Sequence, residues 1–224
     1  MTEMVDSEQV SSQKMLLTMG GIGVICALLI VLTYEGTLPR VQHLKAEALE
    51  KAIFNVVPGT SETVAFALVD GKLEKDGPGE ELIYAGYDQE RKLVGVAIKG
   101  EGQGYADKIK VLYGYDPIQE QVIGFQVLET KETPGLGDKI GKEEDFLANF
   151  HALDVALNED KSGLAHEVVT VKNGEKEEPW QIDGITGATI SSRAVGAIIN
   201  QSANRWTPII QQHLDQLQNQ LSDE

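Results

Sequence analysis

Residues 183–192 read DGITGATISS and place one carboxylate, Asp183, and four hydroxyls, Thr186, Thr189, Ser191 and Ser192, within ten positions. The following RAVGAIINQSANRW carries Ala194, Val195, Ile198 and Ile199 at helical spacing. The hydroxyl-rich turn is therefore predicted to open a helix that begins near Ser191 or Ser192. The first amides of a helix have no partner inside it, and the dipole is positive at that end, so a phosphate is stabilised there. Gly184 and Gly187 permit the tight backbone that such an approach needs. Serine and threonine at a helix start are also ordinary caps, and Gly-Ala-Thr taken alone reads as one. The chemistry available to the full run is the holding of a phosphate, by amides or through a covalent bond to a hydroxyl.

The rest of the composition narrows what that phosphate could belong to. Lys and Arg number 19 against 35 Asp and Glu in 224 residues, a formal charge of −16. Nucleic acid is excluded as a partner, because binding its backbone needs a clustered basic face. One cysteine, Cys26, lies in an apolar stretch, so neither a disulfide framework nor a zinc or iron–sulfur spacing is present. His43, His151, His166 and His213 fall in different segments and read as surface or capping residues rather than metal ligands. No acid and base pair stands out near the motif, so no catalytic residue is assigned. A second glycine-rich segment, ETPGLG at 132–137, is by its own residues a Pro-Gly turn.

The elements that must position these residues follow from periodicity. After a short tail over residues 1–14, the chargeless run from Met15 to Leu32 is long enough to span a bilayer, and a transmembrane helix is predicted over 15–33. No A-x-A site follows it, so it reads as retained rather than cleaved. Lys14 precedes the span and Arg40, Lys45 and Lys51 follow it, which leaves orientation unsettled by charge. Val41, Leu44, Ala48, Ala52 and Ile53 mark an amphipathic helix or stalk within 34–60, ended by Pro58. A strand is predicted from Glu62 to Asp70. A weak internal repeat follows, in which GYDQERKLVGV from Gly86 is echoed by GYDPIQEQVIGF from Gly114, and each copy reads as a hairpin. Phe146, Phe150, Leu153 and Leu157 form an apolar helical stripe, and a strand over His166–Val171 leads into a hairpin loop, NGEKEE. The expected soluble domain covers 61–206 and a polar helix or tail covers 207–224. The fold class is α+β: one N-terminal helix, then one domain of antiparallel hairpins with flanking helices.

Asp183, Thr186, Gly187, Ala188 and Thr189 together resemble the attachment site of the covalent FMN-binding domain family. That domain is shared by the G subunit of Rnf ferredoxin:NAD oxidoreductases and the C subunit of sodium-pumping NADH:quinone reductases. The N-terminal span, the segment Gly104–Ile109, ETPGLGDKI at 132–140 and DGITGATISS occur in family order, covering about Met15 to Trp206. The resemblance implies FMN joined by its phosphate to Thr189 through a phosphoester, with Thr186, Gly187, Ala188 and Ser191 around the phosphate. It also implies Thr133, Leu136, Gly137 and Glu132 beside phosphate or ring, and Asp183 recognised by a separate flavin transferase. It further implies the bacterial inner membrane with the soluble domain on the outer side, and other subunits of a redox complex as partners. Compactness favours the Rnf G subunit, with the reductase C subunit as alternative. A tethered binding or scaffold module without flavin is the reading of another class.

Overall fold

The computed structural model describes residues 12–79 and 81–220, so most of the tail expected over 1–14 and the last four residues lie outside the described part. Helix α1, Ser12–Val56, takes up both the apolar run and the amphipathic segment, with Pro39 inside it. Its most apolar 18-residue window has a mean hydropathy of 2.6 and none of it is buried, so it is long and apolar enough to cross a membrane. The chain divides into two units between Glu47 and Ala48. The second, from Ala48 on, contains the sheet and the helices that pack on it.

Seven strands build one antiparallel sheet: β1 Glu62–Val69, β2 Lys72–Lys75, β3 Leu82–Tyr87, β4 Leu93–Gln103, β5 Lys108–Asp116, β6 Gln121–Glu129 and β7 Leu153–Asp154. Their order is β2-β1-β3-β4-β5-β6-β7. The repeat forms two hairpins, β3–β4 and β5–β6. Asp88 and Asp116 do the same work in each turn, Asp88 Oδ1 accepting from Glu90 and Lys92 amides and Asp116 Oδ1 from Ile118 and Gln119 amides.

Side chains alternate between faces along the central strands. Val96 and Ile98 of β4, with Val111, Tyr113 and Tyr115 of β5, join the larger core beneath helix α3, Thr189–Gln212. Ala97 and Leu112 point the other way, into a smaller core closed by Ala52, Ile53, Val56 and Val57. On that second face the glycines of the repeat have a common purpose. Gly86 lies opposite Gly95 and Gly114 opposite Gly124. A side chain on Gly114 or Gly124 would collide with the carbonyl oxygen of Val56, one on Gly95 would reach Val57 Cγ1 at 3.0 Å, and one on Gly86 would collide with Thr60. The end of α1 and its connector thus lie in a furrow that only glycine leaves open.

Three local expectations change. The stripe from Phe146 to Leu157 is not one helix: α2 covers Glu144–Ala148, a 3-10 turn covers Asn149–His151, and Leu153 is already in β7. The cause is Asn149, whose side chain bonds the backbone of Phe146 and of Asp183 instead of facing solvent, while Phe146 and Phe150 pack with Phe125. The NGEKEE loop does not join a hairpin, because β8, Val169–Val171, and β9, Gln181–Asp183, run parallel. Finally, α3 begins at Thr189 rather than at Ser191 or Ser192. Helix α4, Leu214–Asn219, follows α3 and is tied to the sheet by Tyr87, whose hydroxyl donates to Leu217 O at 2.7 Å.

Candidate functional site

The start of α3 is shaped by a β-turn. Ala188 N–H donates to Ile185 O at 3.0 Å, and Gly187 within the turn has φ +85°, a value that favours glycine. Ser192 is fully buried and pins the turn from below: its hydroxyl donates to Ala188 O at 3.0 Å and accepts from Ile185 N–H at 3.1 Å. Ala188 precedes the helix and offers no capping side chain. Ser192 N–H bonds back to Ala188 O at 2.9 Å, whereas among the described residues the amides of Thr189, Ile190 and Ser191 have no acceptor.

The four hydroxyls of the motif therefore divide by burial. Ser191 is 2 % exposed and donates to Glu132 Oε2 at 2.6 Å. With Ser192 also engaged, only Thr186 and Thr189 are exposed, and neither hydroxyl has a hydrogen-bonding partner among the described residues. Ser191, expected at the phosphate, can offer its amide there but turns its side chain inward. Because the helix starts at Thr189, that residue's oxygen stands beside the unpaired amides rather than ahead of them. The donor set is that of an anion site at a helix N-terminus, and it suits an esterified phosphate.

Two loops converge on this point. Glu132 Oε1 accepts from Ala106 N–H at 2.9 Å in the β4–β5 loop, while Oε2 accepts from Ser191 O–H. In the ETPGLG segment, Gly135 has φ +77°, Thr133 O accepts from Leu136 N–H at 3.1 Å, and a 3-10 turn, Gly137–Gly141, follows. A side chain on Gly137 would meet Ser191 Oγ at 2.6 Å and collide with Glu132. Thr133 and Leu136 flank this packed centre, Leu136 in the open, and Gly137 is buried in it. Asp138 closes the loop, accepting from Gly135 N–H and from Lys142 Nζ, both at 2.6 Å, and the Lys142 ammonium holds its carboxyl below the ordinary value.

Asp183 is held differently. Its Oδ1 accepts from Gly174 N–H at 2.7 Å, and its backbone N–H and C=O pair with Asn149 at 2.9 and 3.2 Å. Lys176 donates to Asn149 Oδ1 at 3.2 Å, and burial draws its ammonium below the ordinary lysine value against the pull of Asp183. Asn149 is the residue that sequence reasoning misses. Its one signal is a poor helix former in the middle of an apolar helical stripe.

Residues 104–204 of this α+β domain, which include the open start of α3, match the family model of the FMN-binding domain. The chain is 33 % identical over 193 residues to the G subunit of the ion-translocating oxidoreductase complex of Methanosarcina acetivorans, covering 86 % of this chain and 92 % of that protein. It is 28 % identical to the G subunit of the Na(+)-translocating ferredoxin:NAD(+) oxidoreductase complex of Acetobacterium woodii, covering 81 % and 84 %. Its fold is that of Shewanella oneidensis NqrC, with a TM-score of 0.59 at 18 % identity, over 78 % of this chain and 98 % of the other. The chain belongs to the family of G subunits of ion-translocating oxidoreductase complexes.

Proposed function

We propose that this chain is the electron-transferring G subunit of a membrane-bound, ion-translocating Rnf-type ferredoxin:NAD oxidoreductase complex, with FMN esterified through its phosphate to Thr189 Oγ1. The observation that carries the reading is the state of Thr189: an exposed, unpartnered hydroxyl on the first residue of α3, beside amides without acceptors among the described residues. Those amides and the helix dipole stabilise a phosphate that the net charge of −16 would otherwise repel. Thr186, Gly187 and Ala188 form the turn around it, and Thr133, Leu136 and Gly137 border it. Bound FMN supplies the electron chemistry, so the protein's task is to hold the ring and set its surroundings. Asp183 is the side chain by which a flavin transferase recognises the segment. The apolar part of α1 anchors the chain in a bacterial inner membrane, with the domain on the outer side and other subunits of the complex as partners.

Expression of the full chain with a flavin transferase tests this. Intact mass should exceed that of the bare polypeptide by one FMN ester, and the band on a denaturing gel should fluoresce. Thr189→Val should abolish both and leave the melting temperature unchanged. An unmodified wild-type chain from a competent host sinks the reading. The likeness to NqrC supports a second one, the C subunit of a sodium-translocating NADH:quinone reductase. Co-purified ferredoxin-dependent or quinone-dependent activity separates the two.

A further inference from the structure

The family resemblance implies Glu132 as a cofactor neighbour, but it is only 5 % exposed and forms no ion pair with any described residue. A buried carboxylate without a cation costs several kcal/mol unless hydrogen bonds and dipoles replace water. Here they do. Oε1 accepts from Ala106 N–H at 2.9 Å, Oε2 from Ser191 O–H at 2.6 Å, and Ser191 is the third residue of α3, so the carboxylate lies at the positive end of that helix. Gly104 and Gly137 press on it from two sides, and a side chain on either would collide with its oxygens. One side chain thus fixes the β4–β5 loop, the ETPGLG loop and α3 against each other.

Each fixed point is preceded by an exposed apolar residue. Tyr105, 68 % exposed, precedes Ala106; Leu136, 52 % exposed, precedes Gly137; and Ile190, 55 % exposed, stands between Thr189 and Ser191. Apolar side chains in water on two loops and the helix start they converge on suit a planar aromatic ring tethered among them. We propose that Glu132 is a positioning residue that assembles this rim of Tyr105, Leu136 and Ile190, and through it fixes how a flavin joined to Thr189 is held. The proposal rests on Thr189 being the residue that bears the flavin. The carboxylate of Glu132 bonds Ala106 and Ser191 rather than Thr189, so it governs the setting of the ring rather than its attachment.

The test uses the full chain co-expressed with a flavin transferase, comparing wild type with Glu132→Ala, Glu132→Gln and Ser191→Ala. Intact mass reports attachment; visible circular dichroism, fluorescence anisotropy and the midpoint potential report the setting of the ring. Attachment should persist in the folded variants. In Glu132→Ala the visible dichroism should fall several-fold, with the potential moving to that of a flavinylated peptide spanning residues 183–192. Ser191→Ala, which removes one tie, should fall between Glu132→Ala and wild type. Glu132→Gln should recover most of the signal, because its carbonyl can still accept from Ala106. Should Glu132→Ala fail to fold, Ser191→Ala and Glu132→Gln carry the comparison. A loaded wild type whose folded variants keep its dichroism and potential overturns the proposal alone. A bare wild-type mass overturns the Thr189 reading, and this proposal with it.

Discussion

On one face of the sheet, Gly114 of β5 and Gly124 of β6 let the backbone of Val56 lie directly against the strands, while Gly95 and Gly86 leave room for the side chains of Val57 and Thr60. On the other, Gly100 and Gly102 admit Ile198 of α3, and Gly104 and Gly137 admit the Glu132 carboxylate. Yet α3, which packs on this face, keeps the Thr189 hydroxyl and three amides without partners among the described residues. The same device, a missing side chain, seals a structural joint on one face and packs a polar centre beneath the exposed start of a helix on the other. A substitution should therefore cost fold stability in the furrow and, at the exposed residues of the helix mouth, function or nothing.

The largest stability effect should come from Gly114→Ala or Gly124→Ala, whose new methyl meets Val56 backbone that has no room to yield. A loss on the order of 3 kcal/mol is expected, which corresponds to a melting temperature lower by about 10 °C. A thermal melt matching wild type would break the contrast between the faces.

Alkali should strike the α3 face next. Burial pushes the phenols of Tyr87 and Tyr115 up to about 12, and that of Tyr113 upward too. Their folded values lie above the unfolded value near 10, so this contribution is intact below pH 10 and is lost as pH rises through about 12. Denaturant midpoints should therefore be flat up to pH 10 and decline beyond it. A decline that begins near neutrality contradicts the assignment.

Ser192→Ala should cost about 1–3 kcal/mol, because it leaves the buried amide of Ile185 without a partner. Urea titration reads this directly, and a neutral result would mean that the turn before Thr189 is held by something else. Smallest of all, Thr186→Val should stay within about 0.5 kcal/mol, since its side chain is exposed and has no partner among the described residues. A large loss there would show that the open surface carries structural weight.

The hairpins are legible in the sequence because turn residues and alternation are local: Asp88 and Asp116 announce their turns, and Val96, Ile98, Val111 and Tyr113 announce a buried face. The helix after DGITGATISS is legible from its stripe, although its start lies two residues earlier than capping residues suggest. Ser191 and Ser192 look like caps but spend their hydroxyls on Glu132 and on Ala188, and a polar side chain's choice between solvent and interior is a tertiary matter. Glu132 and Asn149 are obscure for the same reason, since each answers to partners far along the chain: Ser191 is 59 residues from Glu132 and Asp183 is 34 from Asn149. The repeated glycines are visible as a pattern, but what they make room for is the segment from Val56 to Thr60, which approaches from outside both copies.

The furrow has a practical corollary for dissecting the molecule. Residues 48–60 belong to the packing of the sheet, with Ala52, Ile53, Val56 and Val57 buried against it. An excised fragment should therefore start at Ala48 or earlier. One that starts at the first strand would leave a groove of bare glycines in water and invite another polypeptide to fill it.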